Sequence, residues 1–213
     1  MQRIVEAGVP CTVSAGNDGS EGLFYTSTAA NGKKVTAIAS VDNTYSPSVL
    51  LEATYSVENG TAENFGWTEG TPSFPDLSLP LWAVSFDTTD PANGCTPYPA
   101  GTPDLSGYVV LVRRGSCTFV QKATNAADAG AHYVMYYNNA PGVSAVTAVV
   151  DGIEGVGMVS AAQGAEWIEY LKSNSTVVLN ITNPDDAEQF AVQTLNNVTG
   201  GFLSYYTTWV RLP

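Results

Sequence analysis

The sequence predicts a mixed α/β fold that is rich in strands and built around a strand–helix–strand unit. Tyr108–Val112 and Tyr133–Tyr137 are almost continuously apolar, which is typical of strands buried on both faces. Between them, apolar side chains recur every three or four residues, which predicts a helix with Thr118 or Ser116 as its N-cap and Gly130 at its C-terminal stop. Two parallel strands joined by a helix form a βαβ unit, which is right-handed in nearly all folds.

Composition and charge exclude several classes of function. Of the 213 residues, 44% are hydrophobic, which is enough to fill a core. Eight Lys and Arg residues stand against 20 Asp and Glu residues, and the net charge is −12. Such a chain repels a phosphate backbone, so we expect no nucleic-acid partner. The apolar runs are far shorter than the roughly 18 residues of a bilayer-spanning helix, so we expect no membrane partner.

Further elements are expected on both sides of the central unit. Val9–Ala15 and Val35–Val41 are apolar segments suited to the middle of a parallel sheet. Ser46–Pro103 is rich in Pro, Gly, Ser and Thr, which predicts short strands and long turns that form a lid over the central unit. Ser160–Gln163 is a capping box that opens a helix with Trp167 in its buried face.

Sequons and a low lysine content are typical of a secreted eukaryotic glycoprotein. We therefore predict a secreted, extracellular protein. The four predicted N-glycosylation sites are Asn59, Asn174, Asn180 and Asn197. No signal peptide opens the sequence, so we expect an incomplete chain. Cys11 lies in an apolar run and is expected to be a small buried core residue.

The central region also resembles a known family. The motifs that carry the resemblance are Leu105–Gly107, Val109–Arg113, Gly115–Phe119, Lys122-Ala123 and Ala129–Ala131. Together they resemble the protease-associated (PA) domain, over about Ser46 to Asp185. The resemblance implies a disulfide bond between Cys95 and Cys117, whose loop closure stabilises by roughly 3 kcal/mol. The alternative is two free thiols, which is uncommon in a secreted chain.

A second resemblance lies nearer the N-terminus. Ala7–Pro10, Val13–Gly19 and Val35–Asp42 resemble part of a subtilisin-like serine protease. That resemblance implies that the Asn17 side-chain amide donates to the oxyanion of the tetrahedral intermediate, where a fixed neutral donor stabilises developing charge. The alternative is that Asn17 only occupies a turn, because Asn-Asp-Gly triplets tolerate left-handed geometry.

The two resemblances divide the chain into three parts. Residues 1–45 are predicted to be a partial subtilase catalytic domain with the oxyanion-hole strand and loop, and residues 46–185 the PA domain. Residues 186–213 are predicted to return toward the subtilase domain, although Thr207-Thr208-Trp209 departs from the Ser-Ser-Trp-Gly-Pro usual there. The expected fold is therefore a β-rich PA domain with a βαβ unit and two short helices, plus flanking strands of a subtilase parallel sheet.

The sequence contains no catalytic triad. The motifs that carry the Asp, His and Ser of a subtilase are absent, so we expect the isolated chain not to hydrolyse peptides. The sole histidine, His132, has no activated serine placed near it by a motif and is expected to be a loop residue rather than a base. No HExxH, CxxC or P-loop motif is present, so we expect no metal and no cofactor.

Three hypotheses for function follow. The first is the central fragment of a secreted subtilisin-like serine endopeptidase, in which the PA domain serves substrate access or protein interaction. The second is a stand-alone PA module that binds a peptide, a protein or a glycan. The third is a nicked protein that stays associated with separate chains carrying the triad. The expected partners are a polypeptide substrate or a protein, including the missing subtilase segments.

Overall fold

The computed structural model describes residues 2–16, 21, 25–38, 45–185 and 187–195. The described residues fall into a smaller unit, within residues 2–38, and a larger unit, within residues 45–195.

The smaller unit is one helix and a pair of strands. Its elements are α1 (Gln2–Glu6), β1 (Thr12–Ser14) and β2 (Thr36–Ile38). β1 and β2 are parallel, with Thr12 opposite Thr36. Two parallel strands were predicted in this region. Cys11 is only partly buried, so the expectation of a buried core cysteine was wrong.

The larger unit is a barrel. Its elements are β3 (Tyr45–Val57), β4 (Glu63–Thr71), β5 (Leu77–Ala83), β6 (Val109–Arg113), α2 (Phe119–Ala127), β7 (Tyr133–Tyr137), β8 (Val146–Thr147), β9 (Gly155–Val159), α3 (Ala161–Lys172), β10 (Val177–Ile181) and β11 (Gln189–Leu195). The order β3-β10-β5-β6-β7-β9-β4 closes into a ring because β4 pairs with β3 as well as with β9. The predicted strand-rich α/β fold is confirmed.

The predicted βαβ unit is β6-α2-β7, and its two strands are parallel neighbours in the barrel. Thr118 is the N-cap of α2, since its side chain accepts a hydrogen bond from the Gln121 N–H. Gly130 has φ of 89°, the left-handed conformation expected after the helix. α3 begins in the same way, with Ser160 accepting from the Gln163 N–H, as the capping box predicts.

The prediction of a lid over the central unit was wrong. β3 and β4 are 13 and 9 residues long and form the barrel wall itself, together with β5. Pro80 in β5 lies opposite Val178 of β10, and the pairing of β5 with β6 begins only at the next residue, Leu81. A proline is tolerated there because a missing backbone donor interrupts no second ladder. The high Pro content therefore did not mark a break between strands.

Side chains alternate between the interior and the exterior of the barrel. One cluster fills the interior, where residues of every ring strand pack against Trp167 and Ile168 of α3. A second cluster lies outside β6, β7 and β9, where α2 covers them with Ala123 and Ala126. Trp167 is fully buried, as predicted, and its ring centroid lies 4.9 Å from that of Phe65. In the described part of the chain, each helix is too short or too polar to cross a bilayer.

Trp167→Ala is expected to lower the free energy of unfolding by about 3–5 kcal/mol, because it leaves a cavity inside the barrel. Trp167→Phe is expected to cost less, since the indole Nε1 has no hydrogen-bond partner among the described residues. Urea denaturation measures both, with Glu169→Ala on the exposed face of α3 as the control. If Trp167→Ala lowers the free energy of unfolding by less than about 1 kcal/mol, the packing of α3 in the barrel interior through Trp167 is contradicted.

Candidate functional site

The parallel strands β5, β6, β7 and β9 end at one edge of the barrel, and the segments that follow them are joined there. The Arg114 N–H donates to the Tyr137 carbonyl at 2.8 Å, and the Asn138 N–H donates to the Val159 carbonyl at 3.1 Å. Ligands of parallel sheets commonly bind beyond the carboxyl ends of the strands. We call the surface formed here by Arg113, Arg114, Asn138, Asn139 and Ser144 the arginine edge.

The guanidinium group of Arg114 is held by neutral side chains. Its Nη1 donates to Asn138 Oδ1 at 3.2 Å and to Ser144 Oγ at 3.5 Å. Asn138 is itself buried, and its Nδ2 donates to the Gly142 carbonyl at 3.0 Å. Arg114 Cζ lies 6.0 Å from the centroid of the Phe119 ring, so an apolar face adjoins the charge. Among the described residues, the group is therefore oriented without a carboxylate within ion-pair distance.

Arg113 adds a second positive charge at this edge. Its Nη1 donates to the Arg114 carbonyl at 3.2 Å. The ion pairs within 4.0 Å among the described residues are His132–Glu154 and Lys172–Glu169, so neither arginine takes part in one there. Arg113 still acts at longer range. It contributes to lowering the pKa of Asp87, which is lowered mainly by hydrogen bonds from Thr89.

A disulfide bond fixes the loop next to the arginine edge. Cys95 and Cys117 are bonded, as the PA resemblance implied. The Ser116 N–H donates to the Pro91 carbonyl at 2.8 Å, which ties the same two segments together. At Gly115 an added Cβ would lie 1.9 Å from the Pro91 carbonyl oxygen, so only glycine allows this close approach.

A buried lysine of α2 holds the same loop by a hydrogen bond to its backbone. Lys122 is fully buried in α2, and its Nζ donates to the Asn93 carbonyl and lies 3.5 Å from Cys95 Sγ. Asn125, one turn further along, donates through Nδ2 to the Gly94 carbonyl at 2.8 Å. Burial lowers the pKa of Lys122 to about 8, while Asp90 opposes that shift and Arg113 reinforces it.

The buried face of α2 is the predicted one in part. The sequence predicts one apolar face from Phe119, Val120, Ala123, Ala127 and Gly130. Ala123 is buried, and Phe119 and Ala127 pack against the same cluster, but Val120 is 44% exposed. Lys122 and Asn125 are buried as well, because they donate to carbonyls of the disulfide loop, which an apolar pattern does not reveal. The motif Lys122-Ala123 within the PA resemblance was the signal that could have identified the lysine.

The remaining predicted site residues lie apart from the arginine edge. Asn17 and Asn197 are outside the described residues. Asn59 and Asn174 are exposed in left-handed turns, with φ of 57° and 64°. Asn180 lies within β10, and its Oδ1 accepts from Ser78 Oγ at 2.6 Å. Glycosylation and the oxyanion role remain predictions.

His132 is a partly exposed residue between α2 and β7. Its Nδ1 lies 2.9 Å from the Gly152 carbonyl oxygen and 3.8 Å from Glu154 Oε1. In the described ranges, no group of three or more His, Cys, Asp and Glu side chains is placed to hold a metal ion.

Comparison with known families identifies the barrel. Residues 77–167 match the family profile described as the PA domain. The chain contains a PA domain. The matched residues include β6, α2, β7 and the disulfide loop, so the arginine edge belongs to the PA domain.

Individual relatives match only parts of longer proteins. Leucine aminopeptidase 2 of Trichophyton rubrum is 49% identical over 57 residues, which are 26% of this chain and 11% of that protein. E3 ubiquitin-protein ligase RNF149 of Xenopus laevis is 30% identical over 169 residues, 75% of this chain and 42% of that protein. The aminopeptidase from Aneurinibacillus sp. strain AM-1 aligns with 70% of this chain and 37% of that chain, at 22% identity and a TM-score of 0.43. The chain thus spans less than half the length of each. The PA domain match and the leucine aminopeptidase relative support a protease-associated context, but not the predicted subtilisin-like host.

The pH dependence of stability tests the burial of Lys122. Between about pH 8 and pH 10.5 the folded PA domain has released the Lys122 proton while the unfolded chain still holds it. The free energy of unfolding of the wild type therefore rises with pH in this range. Lys122→Met lacks the titrating amine, so the wild-type free energy of unfolding minus that of the variant is expected to increase, by at most about 1.4 kcal/mol per pH unit.

Urea denaturation at pH 7 to 10.5 measures this difference, with Lys172→Met at an exposed position as the matched control. If the free energies of unfolding of the wild type and Lys122→Met change equally with pH, the burial of a titrating amine beneath the disulfide loop is contradicted.

Proposed function

We propose that the PA domain is a protein-interaction module that binds carboxylate-bearing segments of polypeptides at the arginine edge. The observation that carries this proposal is the pair of arginines without an ion-pair partner in the described residues, at one edge of a protein with a net charge of −12. Arg114 has no carboxylate within 4.0 Å among the described residues, so its guanidinium group forms a local positive site that attracts anions in such a protein. Arg113 adds to this positive charge, although it also interacts at longer range with the Asp87 carboxylate.

The geometry of Arg114 suits recognition of a carboxylate. A guanidinium group has five N–H donors, and only those of Nη1 donate to described side chains. The remaining donors match the two oxygens of a carboxylate, which arginine binds in a bidentate manner. Because Asn138 already orients the group, little side-chain entropy is lost on binding. Phe119 offers an apolar surface beside the charge for the rest of a peptide.

We propose further that this module serves a secreted peptidase, in which it holds polypeptide substrates or partners near the catalytic domain. The name of the Trichophyton rubrum relative, leucine aminopeptidase 2, supports a peptidase context. The Cys95–Cys117 disulfide supports an oxidising, extracellular location. In this proposal residues 46–185 are the PA domain, and residues 1–45 and 186–213 belong with the catalytic domain.

The class of peptidase is a separate proposal. A subtilisin-like serine endopeptidase is supported by the motifs of residues 7–19 and 35–42, and by the parallel pairing of β1 with β2. An aminopeptidase host is supported by the Trichophyton rubrum relative. In the subtilisin-like host, Asn17 donates to the oxyanion, whereas an aminopeptidase host gives it no such role.

A stand-alone binding module is the second candidate function. The observation that favours it is the closed ring of strands within residues 45–195, which has its own interior cluster. Carboxylate binding at the arginine edge is common to both candidates, whereas peptidase activity of the natural protein distinguishes them.

Arg114→Gln is expected to weaken peptide binding by about tenfold to a hundredfold, because a charge-assisted hydrogen bond contributes about 1.5–3 kcal/mol. The probe is a peptide array in which each sequence with Asp or Glu has a matched sequence with Asn or Gln, read by fluorescence anisotropy. The acidic members should bind the wild type selectively, and added salt should weaken that binding.

Lys172→Gln is the matched control, since it removes the same charge from an exposed position on α3. Equal losses for Arg114→Gln and Lys172→Gln, or equal binding of acidic and amide peptides, contradict carboxylate recognition at the arginine edge.

Asn17→Ala tests the host in the natural full-length protein. If the host is subtilisin-like, turnover should fall by about 10²–10³ with little change in KM, a range borrowed from subtilisin's own oxyanion-hole asparagine. A serine-directed fluorophosphonate should label that protein. A peptidase-active protein that takes no label and is insensitive to Asn17→Ala overturns the serine-peptidase host and leaves the aminopeptidase host.

A further inference from the structure

A groove of about 380 Å³ lies on the larger unit and shares no lining residue with the arginine edge. One side is formed by β5 and the residues around it, which contribute Trp82, Phe86 and Tyr108. The other side is formed by Leu171 at the end of α3 and by the turn of residues 174–176. An aromatic wall therefore faces a turn that contains the sequon Asn174-Ser175-Thr176.

The aromatic side of the groove is accessible at Phe86, and its Trp82 packs against a further aromatic ring. Phe86 is 49% exposed, which is a large apolar surface for a loop residue. Trp82 is partly buried, and its ring centroid lies 5.6 Å from that of Tyr98. Aromatic side chains of this kind offer rigid flat surfaces with a negative face and bury a large area on contact. Such surfaces suit the apolar C–H faces of pyranose rings.

The sequon turn holds Asn174 at the groove in a fixed backbone conformation. The Asn174 N–H donates to the Leu171 carbonyl at 3.0 Å, and the Ser175 N–H donates to the Tyr170 carbonyl at 3.0 Å. These bonds close the C-terminal turn of α3 and place Asn174 in the left-handed region. The residue is exposed, so a bulky group attached to it requires no rearrangement of the core.

The other described sequons lack this arrangement. Asn59 is exposed in the turn after β3 but does not line this groove. Asn180 lies in a strand that is paired on both sides, and its side chain is engaged by Ser78. Asn174 therefore combines an accessible amide with an aromatic surface.

We propose that the aromatic groove binds an N-linked glycan on Asn174, with the first N-acetylglucosamine packed against Phe86 and Tyr108. Attachment breaks the bond between the sugar C1 and the pyrophosphate oxygen of a lipid-linked oligosaccharide donor. It forms the bond from C1 to Asn174 Nδ2 and releases the lipid pyrophosphate and one amide proton. The glycan then covers Phe86 and joins the loop after β5 to the end of α3.

The inference requires passage through a secretory pathway, as proposed above, but not peptide binding at the arginine edge. Its test can therefore fail while carboxylate recognition stands, and the reverse also holds. A seated glycan stabilises the PA domain through Phe86, whereas a glycan that only extends into solvent contributes nothing through that side chain.

The experiment uses the full chain secreted from eukaryotic cells and trimmed enzymatically to one N-acetylglucosamine per site. Glycopeptide mass spectrometry should find Asn174 occupied. Thermal denaturation should then show a midpoint about 2–4 °C higher than that of Thr176→Ala, which removes the sequon but keeps the asparagine. The gain should disappear when both proteins carry Phe86→Ala. This comparison isolates the coupling between glycan and aromatic ring from the effect of either change alone.

Thr61→Ala is the control for loss of a glycan outside the groove, because it removes the Asn59 sequon but keeps the asparagine in its left-handed turn. It should leave the midpoint within about 1 °C. An unoccupied Asn174 overturns the proposal. It is also overturned if the gain in midpoint is the same with and without Phe86, or if Thr61→Ala lowers the midpoint as much as Thr176→Ala does.

Discussion

The pairing of β3 with β4 is the constraint on which the rest of the PA domain depends. β4 already pairs with β9, so this contact closes the strands into a ring with a single filled interior. In a closed ring, alternate residues of each strand face inward and the others face outward. α3 can then cover only the interior cluster with Trp167, and α2 only the exterior one. The two helices begin beyond the carboxyl ends of β6 and β9, and the segments between strand and helix lie at the same edge.

Buried polar groups determine the shape of that edge. Lys122 and Asn125 donate to backbone carbonyls of the disulfide loop, and Asn138 accepts from Arg114. A buried amine is costly when no described carboxylate lies within ion-pair distance, and the lowered pKa of Lys122 reflects that cost, which Asp90 offsets only in part. Replacing these groups by apolar ones would leave loop carbonyls without donors, so the loop is specified more by hydrogen bonds than by packing. The covalent bond between Cys95 and Cys117 adds to this by restricting the unfolded chain.

The sequence predicted what depends on local patterns and missed what depends on contacts between distant residues. β7 and α3 followed from apolar runs and a capping box, and the Cys95–Cys117 bond followed from the resemblance. The long strands β3 and β4 were not predicted as such, because the glycines of β4, Gly66 and Gly70, break its pattern and are explained only by side chains and backbone that pairing brings close to them. The arginine edge was also missed. Arg113 was predicted only as the end of the PA motif Val109–Arg113, and Arg114 was given no role, since nothing local shows that Asn138 and Ser144 lie beside it.

The loop between β5 and β6 joins the two proposed sites. Phe86, near its start, lines the aromatic groove, and Pro91, further along, accepts from Ser116 beside the arginine edge. Lys122 and the disulfide fix the middle of the loop at Asn93 and Cys95. A conformational change passed along the loop from Phe86 must therefore break buried hydrogen bonds before it reaches Arg114. Charge is not blocked in the same way, since Asp87, the residue after Phe86, interacts electrostatically with Arg113. A glycan in the proposed groove can thus stabilise the PA domain without moving Arg114, and Asp87 is the residue through which the two sites stay coupled.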